Sequence, residues 1–110
     1  MQTVKFEDWL KLDLRVGKIR KVEDIAGADK LYKLEVDLGE EKRILVAGLK
    51  GHYKKEELEG KSCIVFCNLE PKKLKGIESQ GMILAAVSDD EKTIGLIEPD
   101  KEMTPGSKVR

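Results

Sequence analysis

The chain has 110 residues, 38% charged and 40% hydrophobic, with 21 basic against 21 acidic side chains. That is one domain's worth of chain, 1–110, able to bury a core and too apolar for intrinsic disorder. No apolar run approaches the roughly 20 residues of a membrane-crossing helix, and the opening MQTVKFEDWLK carries acids where a signal peptide needs an apolar stretch, so a cytoplasmic protein is expected.

Zero net charge gives no bulk attraction to nucleic acid, but the charge is unevenly laid out. Residues 12–75 carry three more bases than acids, and residues 76–110 carry three fewer. Asn68, Gln2 and Gln80 are the only side-chain amides among many Lys and Glu. That bias suits a hot environment, with chance in a short chain as the alternative.

Phe6, Trp9 and Leu10 fall at helical spacing and predict a short N-terminal helix. LDLRVGKIRKV (12–22) reads as a long strand with Leu14 and Val16 on one face; Gly17 breaks the alternation, where a bulge would bend the strand. IAGAD (25–29) is a loop. LYKLEVDL (31–38) puts Tyr32, Leu34, Val36 and Leu38 on one face and charges on the other, a half-buried strand. After the turn GEEK (39–42) come the strand ILVA (44–47), a short helix in KKEEL (54–58), and the strands SCIVFC (62–67), GMILAAV (81–87) and TIGLI (93–97). The tail PDKEMTPGSKV is mostly extended. This order predicts an all-β fold: an OB-fold, a five-stranded Greek-key barrel with a short helix between strands 3 and 4, other small β-barrels being the alternative.

Catalytic signatures are missing. Cys63 and Cys67 share one strand face, with Cα atoms about 13 Å apart, beyond the ~7 Å limit for a disulfide; they read as buried, reduced thiols, and no metal knuckle is formed. His52, the only histidine, has no nucleophile signature beside it and reads as a surface or capping residue. No phosphate loop, HExxH or GxSxG occurs. The expectation is a binding module, not an enzyme, without cofactor or metal.

PKKLKG (71–76) concentrates Lys72, Lys73 and Lys75 on one turn. A lysine-rich turn can be mere solvated surface. In a small barrel, however, this segment flanks the nucleic-acid groove. Lys30 and Arg43 could converge there, and clustered cations supply most non-specific nucleic-acid affinity. Aromatics are few, and none lies in the lysine segment, so recognition of phosphate and shape is favoured over base stacking. A folded RNA suits such a surface.

LDLRVGKI (12–19), ADKLYKLEVDLG (28–39), ILVAGL (44–49), EELEGK (56–61) and above all NLEPKKLKGIESQGMILAA (68–86) together resemble the tRNA-binding domain family. That family occurs as the C-terminal appendage of many methionyl-tRNA synthetases and as small stand-alone dimers. The resemblance implies a small barrel, usually a homodimer, that binds tRNA by shape with little dependence on sequence. It would aid tRNA capture by the catalytic part of a methionyl-tRNA synthetase and dimerise it. Carried over by position, the RNA contacts would be Lys30, Arg43, Asn68, Lys72, Lys73, Lys75, Ser79 and Met82. Ser79 would donate a hydroxyl to phosphate or ribose, and Met82 would touch an exposed base or sugar, core packing being the alternative for Met82. Many relatives carry His-Pro-Asn where this chain reads Ile25-Ala26-Gly27, so that loop is not assigned to the RNA. Phe6, Trp9, Leu10, Met103 and Val109 are expected at a two-fold interface, or else Phe6, Trp9 and Leu10 cap the barrel within one chain. A rival reading is a chaperone-like, peptide-binding dimer; a third is a pure dimerisation module. Met1 fits a whole protein or an excised domain equally.

Overall fold

The computed structural model describes residues 1–110. The helical spacing of Phe6 and Trp9 is realised as one turn, α1 (Phe6–Trp9). The long strand β1 (Leu14–Asp24) is followed by β2 (Tyr32–Asp37) and β3 (Lys42–Ala47), an antiparallel meander. Helix α2 (Lys55–Leu58) then leads into β4 (Ser62–Phe66), which returns to pair with β1. Glu57 accepts the Lys54 N–H at 2.8 Å, half of a capping box, since a lysine side chain cannot accept in return. Leu58, fully buried, fixes α2 to the barrel.

Strand β1 is shared. Its residues 14–18 pair with β4, and its residues 18–24 pair with β2. Between Ile19 and Lys21 the register slips by one residue, so Arg20 is the bulged position. Gly17, where the bulge was expected, does something else. A Cβ there would lie 2.5 Å from Val36 Cγ1 and 3.2–3.3 Å from Leu38 and Val65, so the glycine lets neighbouring side chains approach the β1 backbone.

Beyond β4 come β5 (Lys72–Leu74), β6 (Ile77–Ser79), β7 (Met82–Ile83), β8 (Ala85–Val87), β9 (Ile94–Leu96) and β10 (Lys108–Val109). The main sheet runs β3-β2-β1-β4-β7, five strands of an OB-type barrel, with β10 added to the start of β1. The expected strand 81–87 is broken at Leu84: its first part pairs with β4 and its second with β9. The expected turn 71–76 is part of a separate hairpin, β5–β6.

The alternation in β2 is borne out: Tyr32, Leu34, Val36 and Leu38 are all buried and join Ile19, Leu45, Leu58, Cys63 and Val65 inside the barrel. Strand β4 is covered on both faces. Its Cys63 and Val65 point into the barrel, while Ile64 packs with Leu14 and Val16 under Trp9, Phe66, Leu84 and Val109. This explains why SCIVFC reads as an unbroken apolar run. The tail is ordered within one chain, because Ser107 and Gly106 exchange backbone hydrogen bonds with Val16, both at 2.8 Å. Phe6 and Leu10 nonetheless stay largely exposed, at 71% and 64%. No helix is long and apolar enough to cross a membrane.

Candidate nucleic-acid interface

Hairpin β5–β6 carries the lysines. Leu74 faces Ile77, and the two residues between them, Lys75 and Gly76, both take positive φ (51° and 80°). That is the two-residue hairpin turn of the primed class, where glycine is favoured and a lysine is uncommon. Leu74 and Ile77 pack on the cluster of Ile25, Ala28 and Val46, as Leu31 does, so an apolar contact pins the hairpin tip to the outside of β3 and to loop 25–31. Lys30 belongs to that loop and is exposed. The structure thus sets the hairpin of Lys72, Lys73 and Lys75 against the loop of Lys30, with Lys72 on the hairpin face of Ser79 and Leu74, and Lys73 on the opposite face beside Glu78. All four lysines are exposed, and none forms an ion pair within 4.0 Å.

Other cations in the neighbourhood are committed. Asp24 holds Lys55 at 2.7 Å and Lys50 at 3.0 Å, and these two partners lower its carboxyl below the usual range. Lys30 and the hairpin lysines share no such acid, and neither does Lys33, the cross-strand partner of Val46. Glu78 stands across the hairpin from Lys73 and is the acid nearest to it in register.

The remaining positions of the expected RNA set behave differently. Arg43 binds Glu41 at 2.9 Å, donates to the Gln80 carbonyl at 3.2 Å and also donates to the Cys67 carbonyl. Asn68 accepts from the Asp13 N–H at 2.8 Å and donates to the Lys11 carbonyl at 2.7 Å, fastening the α1–β1 connection to the end of β4. Ser79 is 5% exposed; its hydroxyl accepts from the Val46 N–H and donates to the Gly81 carbonyl, both at 3.0 Å. In this structure its hydroxyl is turned inward rather than offered to solvent. Met82 is 44% exposed at the surface end of β7, so it is not a core residue.

Gln80 went unread in the sequence, yet its side-chain oxygen accepts from the Ile44 N–H at 3.0 Å and its own N–H donates to the Ile44 carbonyl at 2.9 Å. Its place between Ser79 and Gly81 in the S-Q-G-M stretch was the available signal. A hollow of about 300 Å³ opens at the hairpin foot, lined by Arg43, Cys67, Pro71, Glu78 and Gln80 among others. His52 is exposed in the turn before α2, and no group of three His, Cys, Asp or Glu is gathered in a metal-binding arrangement. Burial pushes the Cys63 thiol up to about 12, so it stays protonated and unreactive at neutral pH.

The family described as "Putative tRNA binding domain" matches residues 14–108. The methionine–tRNA ligase of Pyrococcus horikoshii is 62% identical over all 110 residues, which make up 15% of that protein. The methionine–tRNA ligase of Methanocaldococcus jannaschii is 57% identical over 100 residues, 91% of this chain and 15% of that protein. The chain therefore spans about 15% of the length of the curated relatives it matches. Among solved structures, a MetRS-related protein from Pyrococcus horikoshii superposes with a TM-score of 0.93 at 39% identity, covering 100% of both chains. The chaperone CsaA of Bacillus anthracis superposes at 0.89 and 29% identity, over 99% of this chain and 100% of that one. A barrel with this hairpin, matched over nearly its whole length, belongs to the tRNA-binding domain family, in the branch shared with part of methionyl-tRNA synthetase.

Proposed function

We propose that the chain is a non-catalytic module that holds folded tRNA by its backbone and shape, and that it serves a methionyl-tRNA synthetase by improving tRNA capture. One observation carries this reading: four exposed, unpaired ammonium groups, Lys30, Lys72, Lys73 and Lys75, stand on a hairpin and a loop that share one apolar cluster. Such cations release counterions from phosphates and carry no base code. Met82, exposed near the hairpin, supplies an apolar contact to a sugar or unstacked base. Arg43, Asn68 and Ser79 contribute to the same surface chiefly by holding backbone in place.

Self-association belongs to the same reading. Val4, Phe6 and Leu10 are exposed beside half-buried Trp9 and Val109, and Met103 is 43% exposed. A homodimer covering the N-terminal segment and tail would remove this apolar surface from water and let two weak sites act on one RNA. The peptide-binding alternative is favoured by that same exposed patch and by the likeness to CsaA.

Titration of labelled, folded tRNA at two salt concentrations, with single-stranded DNA as competitor, tests the reading. The expected result is salt-sensitive binding that the DNA does not displace. Absence of binding at low salt refutes it, and suppression of client aggregation would then support the chaperone reading. Sedimentation of the parent against Phe6→Glu tests the dimer.

A further inference from the structure

A hairpin with strands of three residues is marginal by itself. If its lysines are to meet RNA phosphates in a fixed arrangement, something must hold it before the RNA arrives. At the tip Leu74 and Ile77 do so through apolar contact. At the foot the work falls to polar atoms on the open edge of β3. A strand edge presents alternating N–H and C=O groups that normally receive another strand. Here the Ser79 hydroxyl takes the Val46 N–H, the Gln80 side-chain oxygen takes the Ile44 N–H, and the Gln80 backbone N–H returns a bond to the Ile44 carbonyl. Two side chains thus stand in for strand carbonyls. Arg43, on the same strand, spans from the Gln80 carbonyl to the Cys67 carbonyl at the end of β4.

We infer that Ser79 and Gln80 are positioning residues for RNA binding: they latch the foot of the lysine hairpin to the edge of β3 and act on RNA through Lys72, Lys73 and Lys75, not by touching it. The inference rests on the tRNA-binding reading above. The geometry excludes the simpler assignment of Ser79 as a free donor, because its hydroxyl is buried and both of its bonds are internal. Pre-ordering of this kind reduces the entropy lost when the hairpin docks.

The test is a double-mutant cycle on the 110-residue chain. Ser79→Ala and Gln80→Ala are each measured for tRNA affinity in the parent and in the variant with Lys72, Lys73 and Lys75 all changed to Ala. A latch worth one or two net hydrogen bonds predicts about three- to tenfold weaker binding in the parent background. It also predicts a shallower salt dependence, and no further loss in the lysine-free background. Amide exchange adds a readout independent of RNA: Gln80→Ala should quicken exchange at Ile44 and within residues 72–79 while β1–β2 amides stay protected. Should Ser79→Ala fail to fold, Gln80→Ala carries the test, since Gln80 is exposed. Affinity unchanged by Gln80→Ala overturns the inference, and so does a loss that persists undiminished without the lysines, which would mean direct contact. Failure of the tRNA reading is separately visible: the lysine-free variant then binds like the parent, and reading and inference fall together.

Discussion

Removing the three hairpin ammoniums at once is the most direct probe of how this surface works. Lys72, Lys73 and Lys75 are exposed and carry no ion pair, so Lys→Ala at all three deletes charge without deleting a structural contact; Leu74 and Ile77 still hold the hairpin tip. Each phosphate neutralised contributes about 0.7–0.9 to the slope of log affinity against log salt, so three contacts contribute about 2–3. Over a fourfold rise in salt, from about 50 to about 200 mM, the parent should lose roughly 20- to 40-fold more affinity than the variant. Fluorescence anisotropy with two unrelated tRNAs reads this, and both should respond alike, because phosphates carry no sequence information. A variant whose salt slope equals the parent's would refute the placing of phosphates on this hairpin. A loss for one tRNA only would refute shape recognition.

Glu78→Gln should strengthen tRNA binding by a few-fold at low salt and less at high salt, because it removes the acid that faces Lys73 across the hairpin; weaker binding would count against it. Gly17→Ala should cost about 1–3 kcal/mol by overpacking and lower the midpoint of thermal unfolding by roughly 5–12 °C. Val36→Ala added to it should recover part of the loss, since Val36 Cγ1 is the atom met first; simple additivity would refute the close-approach account. Burial holds the Cys63 thiol protonated up to about 12, against 9.0 when exposed. The unfolded chain therefore releases this proton first, and the thiol's contribution to stability is complete below pH 9 and is lost as pH rises towards about 12. The stability advantage of the parent over Cys63→Ala should thus shrink by about 1.4 kcal/mol per pH unit above 9, and a constant gap in urea midpoints across that range would contradict it.

What could be read from the sequence follows from which forces are local. Strand β2 was legible because one of its faces is solvated and the charges at Lys33, Glu35 and Asp37 advertise it. Strand β4 announced itself only as apolar, since α1 and the tail cover its outer face and erase the alternation. Hairpin β5–β6 was hidden. Its strands are three residues long and lysine-rich, and the sign of its turn was Lys75-Gly76 flanked by Leu74 and Ile77. The exposure of the four lysines was legible because a charged side chain stays in water unless a partner draws it in. The inward roles of Arg43, Asn68 and Ser79 were not, because their partners are remote in sequence: Cys67, Asp13 and Val46 respectively. Resemblance marks a position as important without saying which way its side chain points. Gly17 makes the same point in the backbone, where one residue type serves either a bulge or a close approach.

The way the tail lies on β1 has a consequence for how the molecule is assembled. Leu14 and Arg15 pair with Val109 and Lys108, nearly the full length of the chain away. The meander from β1 to β3 is built from near neighbours and can form while later residues are still being synthesised. The outer edge of β1 at residues 14–16 cannot be completed until residues 106–109 have been made. The first strand of the barrel to be synthesised is therefore among its last to be finished, and until then its apolar cover over Leu14, Val16 and Ile64 is incomplete. In the folded barrel the same zipper is the natural place for local opening to begin.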